Sequence, residues 1–216
     1  MVKTEAISVK PYADRLKGQP GWALWEGGMH FEEKNSVHQT LQKITRRLSD
    51  LKIPYAVAGG MALFLHDYRR FTEDVDLIVT PEGLKATHDA LEGLGWVRAF
   101  AGSKRLRDAE TGVQVDFLIT GQFPGDGKPK PVAFPEPSSV AVEINGIQVI
   151  ALPKLVELKL ASGMTVSGRR KDLADVQEVI RFLKLEREFQ LKLDPYVRDQ
   201  FLQLWDELKS GPDIES

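Results

Sequence analysis

The spacing of apolar residues predicts alternating strands and helices up to about residue 152 and helices beyond it. Between residues 37 and 51, apolar side chains recur at steps of four, three, four and three, with charged residues between them. This spacing is typical of an amphipathic helix that buries one face. Asn35 or Ser36 is placed to cap its first turn.

Two strand-and-helix units follow this helix. The first is a strand over 53–60 that leads into a helix over 61–68, and the second is a strand over 74–80 that leads into a helix over 81–94. Both strand segments are short and mostly apolar, which is the pattern of buried strands. In the second unit Thr80 is the expected N-cap and Pro81 the first helical residue.

The later part of the chain predicts more strands and then a change of period. Strands are expected at 96–100, 104–109, 113–120, 140–144 and 147–152, with a surface loop over 121–137 that is rich in Gly and Pro. Asn145 and Gly146, between the last two strands, form the strongest short hairpin signal. After Pro153 the apolar residues recur with the helical period, and a final helix is expected over 195–209.

We therefore predict an α/β (α+β) protein in which a mixed α/β core precedes a C-terminal helical lobe. Residues 1–35 contain several Gly and Pro and no sustained period, which predicts an irregular N-terminal arm. Residues 36–152 form the predicted core, and residues 153–216 form the predicted helical lobe.

Composition and charge narrow the classes of function. The chain has 216 residues, of which 42% are hydrophobic, enough for one sizeable core. Lys and Arg number 29 against 31 Asp and Glu, so the formal net charge of -2 gives no sign of nucleic-acid binding. A basic surface would have to be local, although most such clusters are solvated faces. The candidate clusters are Lys104, Arg105 and Arg107, then Lys128 and Lys130, then Arg169, Arg170 and Lys171.

The absence of cysteine excludes disulfides and thiolate metal sites, and it favours a reducing cytoplasm. No apolar run reaches the roughly 20 residues that span a bilayer, and the first twenty or so residues lack a signal-peptide pattern. We therefore expect a soluble, cytoplasmic protein without a membrane partner.

Two carboxylates share one face of the predicted strand over 74–80. Asp74 and Asp76 are two positions apart, so their Cβ atoms lie on the same side of the strand, about 7 Å from each other. Carboxylates in an apolar strand lose hydration and repel each other unless a cation compensates. Mg²⁺ fits because it is typically held by one or two carboxylates plus substrate phosphates. The alternative is that both side chains lie in water at the end of the strand, and this motif alone does not exclude it.

Two further features accompany these aspartates. Gly59 and Gly60 lie between a strand and a helix, where backbone amides can approach an anion, although such a pair is more often only a tight turn. Asp116 lies mid-strand among apolar residues, where an unpaired carboxylate is costly, although a lone buried aspartate usually has a structural hydrogen bond. Chance rarely supplies a glycine pair, an Asp-x-Asp strand and a third aspartate in this order.

This combination resembles the nucleotidyltransferase fold superfamily, the minimal polymerase-β-like fold, over about residues 37–184. That fold is a mixed β-sheet flanked by helices. The signature R-x-T-x-D-x-D of its AbiEii and MenT toxin branch is similar to the run Arg70-Phe71-Thr72-Glu73-Asp74-Val75-Asp76. The later helical lysine and K-D-x-x-D element of that branch resemble Lys159 and the run Lys171-Asp172-Leu173-Ala174-Asp175.

The resemblance implies an enzyme that transfers an NMP from an NTP to an acceptor hydroxyl. Asp74 and Asp76 would bind Mg²⁺ or Mn²⁺, and Asp116 would complete a second metal position or accept the proton of the hydroxyl. The residues that it implies in nucleotide binding are Gly59, Gly60, Arg70, Thr72, Lys159, Lys171 and Asp175. RNA, a protein and a small molecule are all open as acceptor. Resemblance to the toxin branch favours tRNA or a protein, in a toxin of a toxin–antitoxin or phage-defence pair with an antitoxin partner.

Several departures and alternatives accompany this interpretation. Met61 follows Gly60 where the superfamily often has Ser or Thr, and the helical lobe is short for a toxin of this branch. Lys159 could lie on a solvated helix face, and Lys171 with Asp175 could form an exposed one-turn pair worth about 0.3–0.5 kcal/mol. The chain could also be a catalytically silent protein of the same fold that binds nucleotides or regulates a partner. An RNA-binding module without chemistry would need a strong basic excess, and the net charge of -2 argues against it.

Overall fold

The computed structural model describes residues 10–98, 100, 102–165 and 167–210. Its strands in that part of the chain are β1 (Ala56–Ala58), β2 (Asp74–Val79), β3 (Trp96–Arg98), β4 (Arg105–Asp108), β5 (Gln114–Ile119), β6 (Ala141–Ile144) and β7 (Ile147–Ile150). Its helices there are α1 (Tyr12–Gly18), α2 (Pro20–Phe31), α3 (Ser36–Asp50), α4 (Gly59–Leu65), α5 (Pro81–Leu91), α6 (Pro137–Val140), α7 (Leu152–Gly163), α8 (Arg170–Phe182) and α9 (Pro195–Ser210). Short 3-10 helices cover Ser167–Arg169 and Arg187–Lys192.

The strands form one mixed sheet of seven strands in the order β3-β4-β5-β2-β1-β7-β6. β2 pairs in parallel with β5 and antiparallel with β1, so it lies in the interior of the sheet. β6 and β7 form the antiparallel hairpin predicted around Asn145 and Gly146. The prediction of a mixed sheet flanked by helices is confirmed.

The helices next to the interior strands begin where their capping residues lie. Asn35 caps α3 by accepting a hydrogen bond from the amide of His38 at 3.1 Å, as its position before the periodic stretch predicts. Thr80 caps α5 in the same way through the amide of Gly83 at 3.0 Å. The prediction that this helix extends to residue 94 is wrong, because Gly93 takes a φ of +81° and turns the chain towards β3.

The N-terminal segment is not irregular where the structure describes it. Residues 12–31 form two helices, which corrects the prediction of an arm without regular structure. Its apolar pattern is inverted, because Glu26 and His30 are buried while Leu24 is 80% exposed and Trp25 is 53% exposed. Periodicity of apolar residues therefore could not reveal these helices.

Glu26 is the reason that a charged residue can be buried there. Its carboxylate accepts hydrogen bonds from the hydroxyl of Tyr12 at 2.9 Å and from the amide and hydroxyl of Ser36 at 3.0 and 2.7 Å. A buried carboxylate with three donors recovers much of the hydration that it loses. This network joins α1 and α2 to the first turn of α3.

The predicted C-terminal helices are present as α7, α8 and α9, which pack on one another. The buried apolar side chains of the described residues form one cluster that extends from Tyr12 to Leu204. Among the described helices, none has the length and apolarity that crossing a membrane requires.

Candidate active site

Three aspartates lie at one end of the sheet interior, on β2 and β5. Asp74 and Asp76 alternate with the buried Val75, so both carboxylates leave the same face of β2. The register of β2 and β5 places Asp76 directly beside Asp116. Paired residues on adjacent strands are about 4.8 Å apart, so the three carboxylates lie close together.

The proximity of these carboxylates changes their acidity. Burial raises the pKa of Asp76 to about 7, and repulsion from Asp74 and Asp116 adds to the rise, while Lys159 opposes it. Burial also raises the pKa of Asp116, with the nearby Arg105 acting in the opposite direction. The cluster therefore holds more negative charge than its surroundings compensate.

Each of two aspartates has a hydrogen-bond donor beside it. The hydroxyl of Thr72 donates to Oδ1 of Asp74 at 2.9 Å. Oδ1 of Asp116 accepts a hydrogen bond from Nε2 of Gln114 at 2.7 Å and lies 2.9 Å from Nε of Arg105. Both contacts use the same oxygen of Asp116, and in the described part of the chain Oδ2 accepts no hydrogen bond. One oxygen of this carboxylate is thus available to a ligand.

A complete metal site is not preformed. Among residues 10–98, 100, 102–165 and 167–210, no three acidic or histidine side chains are already arranged to hold a metal ion. The contact between Arg105 and Asp116 contributes to this, but the side chain of Arg105 is 56% exposed and has room to move. The donor set itself suits Mg²⁺, since three crowded carboxylates supply the hard oxygen ligands that this ion prefers.

Gly59 and Gly60 approach these carboxylates closely, because they have no side chains. Gly59 takes a φ of +60°, and a Cβ atom on it would lie 1.8 Å from Oδ2 of Asp76. A Cβ atom on Gly60 would lie 2.6 Å from Oγ1 of Thr72. The glycine pair thus keeps the backbone of α4 against the acidic cluster. With seven residues, α4 has a small dipole, so any anion would be held mainly by individual amides.

Replacing Gly59 with alanine tests this close approach. We expect Gly59→Ala to displace the carboxylate of Asp76 and to lower at least tenfold the nucleotidyl transfer that the resemblance of the sequence implies. The positive φ costs about 1–2 kcal/mol for any residue with a Cβ atom. Gly93→Ala is the matched control, because Gly93 has a φ of +81° and open space around its Cβ position. Thermal unfolding and transfer rates measure both effects, and equal rates for the two variants would contradict the prediction.

A network of buried ion pairs forms the opposite wall of the site. Lys159 of α7 donates hydrogen bonds to Asp175 at 2.7 Å and to Asp172 at 3.1 Å, both on α8. Arg70 donates to Asp175 at 2.9 Å, and Ser162 donates to Asp172 at 2.7 Å. Lys159 is only 8% exposed, so the alternative of a solvated helix lysine does not hold.

Lys171 differs from its neighbours in this wall. Asp175 pairs with Lys159 and Arg70, which argues against the alternative of an exposed one-turn pair between Lys171 and Asp175. Lys171 faces the same cleft, and within the described residues no acidic partner contacts it. It is therefore a cation that is available to a ligand.

The carboxylates and the ion-pair network enclose one cleft of about 430 Å³. All the site residues predicted from the sequence line it: Gly59, Gly60, Arg70, Thr72, Asp74, Asp76, Asp116, Lys159, Lys171 and Asp175. Residues that the sequence did not suggest for the site are Arg105, Leu118, Gly125, Phe134, Leu155, Leu158, Ser162 and Arg169. The loop residue Phe134 and three leucines add an apolar part to the cleft, which no sequence motif indicated.

Comparison with solved structures identifies the fold. The chain resembles the antibiotic-resistance factor ANT(2″)-Ia, solved in complex with adenylyl-2″-tobramycin, with a TM-score of 0.50 and 13% identity over 77% of this chain and 97% of that one. An antigenic nucleotidyltransferase-like protein from Paracoccidioides brasiliensis is also similar, with a TM-score of 0.48 and 19% identity over 82% of this chain and 88% of that one. Known protein families and curated proteins give no match. The fold is nucleotidyltransferase-like.

Proposed function

We propose that this protein is a metal-dependent nucleotidyltransferase that transfers an NMP from an NTP to an acceptor hydroxyl. The observation that carries the proposal is the meeting of Asp74, Asp76 and Asp116 with two lysines across one cleft. Anionic metal ligands on one wall and cations on the other suit a metal-bound triphosphate. The nucleotidyltransferase-like fold supports the same conclusion.

The carboxylates would hold Mg²⁺ or Mn²⁺. Asp74 and Asp76 are the first ligands in this proposal, and Asp116 supplies another ligand or accepts the proton of the acceptor hydroxyl. When bound, the metal neutralises charge on the triphosphate as pyrophosphate leaves. Burial, together with repulsion from Asp74 and Asp116, raises the pKa of Asp76, and this supports a cation at this position.

The nucleotide would fill the rest of the cleft. The volume of the cleft, about 430 Å³, lies within the usual range of roughly 300–1,000 Å³ for small-molecule sites. The amides of Gly59 and Gly60 would bind the phosphates, and Lys171, which contacts no acidic side chain among the described residues, would supply a cation. Thr72 donates a hydrogen bond to Asp74, and Arg70 donates one to Asp175, so both carboxylates are held in position. The apolar part around Phe134 suits the base or the ribose.

The acceptor is the least constrained part of this proposal. Resemblance of residues 70–76 and 171–175 to the AbiEii and MenT toxin branch favours tRNA or a protein, with an antitoxin as partner. The adenylylated tobramycin in the ANT(2″)-Ia structure instead suggests a small molecule with hydroxyl groups. We propose the toxin role only on the motif resemblance.

A second candidate is a catalytically silent protein of this fold that binds nucleotides or regulates a partner. The ion pair between Arg105 and Asp116 favours it, because a cationic side chain already neutralises one of the three carboxylates. Binding of Mn²⁺ separates the two candidates. An enzyme would bind it through Asp74, Asp76 and Asp116, whereas a silent protein with a permanent ion pair would not need it.

The deciding experiment is a labelling assay with total cellular RNA or protein. The chain is incubated with each α-³²P-labelled NTP and Mg²⁺ or Mn²⁺, and we expect one acceptor class to become labelled. Asp116→Asn should retain nucleotide binding and lose turnover, because it keeps the shape of the side chain but not its charge. Absence of labelling with every NTP and both metals would contradict the enzyme and favour the silent protein.

A further inference from the structure

A second cavity of about 170 Å³ adjoins the cleft at the acidic cluster. Asp74 and Arg105 line both spaces, so they form the boundary between them. Its other walls are made by Pro11 and Tyr12 of the N-terminal segment, by Glu73, and by Arg107 and Gln114. Of the residues that the sequence predicts for the nucleotide site, Asp74 alone lines this cavity.

We propose that this second cavity is the acceptor subsite and that it takes a sugar phosphate, meaning a hydroxyl-bearing sugar with a phosphate beside it. The inference rests on the proposed nucleotidyltransferase activity and concerns the substrate that receives the nucleotide. It is carried by the position of the cavity, and by an arginine and a glutamate that have no oppositely charged partner among the described residues.

The position of the cavity follows from the geometry of phosphoryl transfer. The attacking and leaving oxygens lie roughly in line, on opposite sides of the phosphorus. Lys159 and Lys171 occupy the cleft side, where the triphosphate and the departing pyrophosphate belong. An acceptor hydroxyl must therefore approach from the other side of Asp74, where the second cavity lies.

Asp116, the carboxylate that would take the proton, lines the cleft and contacts two residues that line the second cavity. These residues are Gln114 and Arg105, and both contact Oδ1 of Asp116. In the transfer step the hydroxyl oxygen forms a bond to the α-phosphorus, and the bond from that phosphorus to the oxygen of the β-phosphate breaks. Pyrophosphate leaves with that electron pair, and the hydroxyl proton passes to Asp116 and then to water.

Arg107 indicates that the acceptor carries a negative group. It is half-buried in the wall of the second cavity, and within the described residues no acidic side chain pairs with it. Arg105 is two positions earlier on β4, so the two guanidinium groups extend from one face of the strand, about 7 Å apart at Cβ. Guanidinium groups match the oxygens of phosphate in a planar, two-point geometry.

Glu73 indicates that the acceptor also carries hydroxyl groups. Its carboxylate is exposed at the rim of the second cavity, and no cation pairs with it in the part of the chain that the structure describes. A carboxylate accepts hydrogen bonds from the hydroxyls of a sugar. Beside an unpaired arginine, it suits a ligand with hydroxyl and phosphate groups at separate positions.

The size of the second cavity limits how much of the acceptor enters. Tyr12 is buried, and its amide donates to the carbonyl of Gly112 at 3.0 Å, which fixes the N-terminal wall. A volume of about 170 Å³ is below the roughly 300 Å³ at which small-molecule sites begin. The cavity therefore accepts one terminal sugar phosphate, either the end of an RNA strand or a small sugar phosphate.

The test measures binding of two probes to the full chain in the presence of Mg²⁺ and a saturating non-hydrolysable NTP analogue. The probes are ribose 5-phosphate and a five-nucleotide RNA with a free 3′ hydroxyl, and the tighter probe identifies the source of the sugar phosphate. We expect Arg107→Gln to weaken that probe at least tenfold and Arg107→Lys to weaken it less. Lys104→Gln, on the same part of the chain but outside the cavity, should leave binding of the probe unchanged. All three variants should bind the NTP analogue as the native chain does.

The proposal is overturned if neither probe binds the native chain, if Arg107→Gln binds as the native chain does, or if the NTP analogue displaces the probe. Binding of a hydroxyl-bearing peptide instead, with loss in Arg107→Gln, would also overturn it in favour of a protein acceptor. Circular dichroism of each variant confirms that it is folded. If the labelling assay shows transfer while Arg107→Gln transfers normally, only the acceptor subsite fails. If no NTP is bound or transferred, the proposed function fails by itself.

Discussion

Asp76→Asn is expected to abolish Mg²⁺-dependent nucleotidyl transfer and, at the same time, to make the metal-free protein more stable. Asp76 is the most crowded of the three carboxylates, because it lies beside Asp116, shares a strand face with Asp74 and touches Gly59. Losing its charge removes a metal ligand, and we expect the transfer rate to fall by about three orders of magnitude. It also removes repulsion that opposes folding.

The sign of the stability change depends on pH. Because the pKa of Asp76 rises from 3.8 to about 7 on folding, the folded state favours the neutral carboxyl. The associated stability is complete below pH 3.8 and is lost as the pH rises through 7. At pH 8 the asparagine variant should therefore be more stable by about 4 kcal/mol, and at pH 4 the difference should fall below about 1 kcal/mol.

Chemical denaturation at the two pH values, with and without Mg²⁺, measures this prediction. Mg²⁺ should stabilise the native chain and have little effect on Asp76→Asn. Asp89→Asn is the control, because Asp89 is an exposed partner of Lys85 far from the site. Unchanged transfer by Asp76→Asn would remove this residue from the site, and lower stability at pH 8 would show that the carboxylates are not in conflict.

Lys159→Met is expected to lower the free energy of unfolding more than any of the other substitutions. The substitution keeps an unbranched side chain but leaves Asp172 and Asp175 without their shared cation. Removing one partner of a buried ion pair commonly costs about 3–5 kcal/mol, because the remaining charge is buried without compensation. Arg70 and Ser162 still contact these carboxylates, so we expect about 3 kcal/mol here.

Lys171→Met is the matched control for this substitution. Both lysines line the cleft, but Lys171 has no acidic partner in the described part of the chain, so its loss should change stability by less than about 0.5 kcal/mol. Both variants should bind NTP more weakly. Urea denaturation measures the difference, and adding Asp175→Asn to Lys159→Met should recover part of the loss. Equal stability of the two lysine variants would contradict the central place of Lys159 in the network.

The sequence predicts the local features of this fold better than its long-range contacts. The apolar positions of α3, the Thr80 cap and the Asn145-Gly146 hairpin are local features, and each produces the expected element. The pairing of Asp76 with Asp116 is not local, since it depends on the register between β2 and β5. The order of motifs indicated that these aspartates meet, although spacing along the chain could not supply the register.

Two parts of the structure could not be predicted from the sequence, and the reasons are physical. α1 and α2 bury Glu26, which is stable there only because Tyr12 and Ser36, from separate segments, donate to it. The contact between Arg105 and Asp116 likewise depends on β4 pairing with β5 at one register. Both features depend on partners that are distant along the chain, so neither a local propensity nor a motif could indicate them.

The strand order determines how late in synthesis the cleft can be completed. β2 and β5 are neighbours in space but are separated by thirty-four residues, and the lysine and acids of α7 and α8 are translated later still. Chains emerge from the ribosome with the N-terminus first, so a polypeptide that has not yet exposed Asp175 lacks one wall of its cleft.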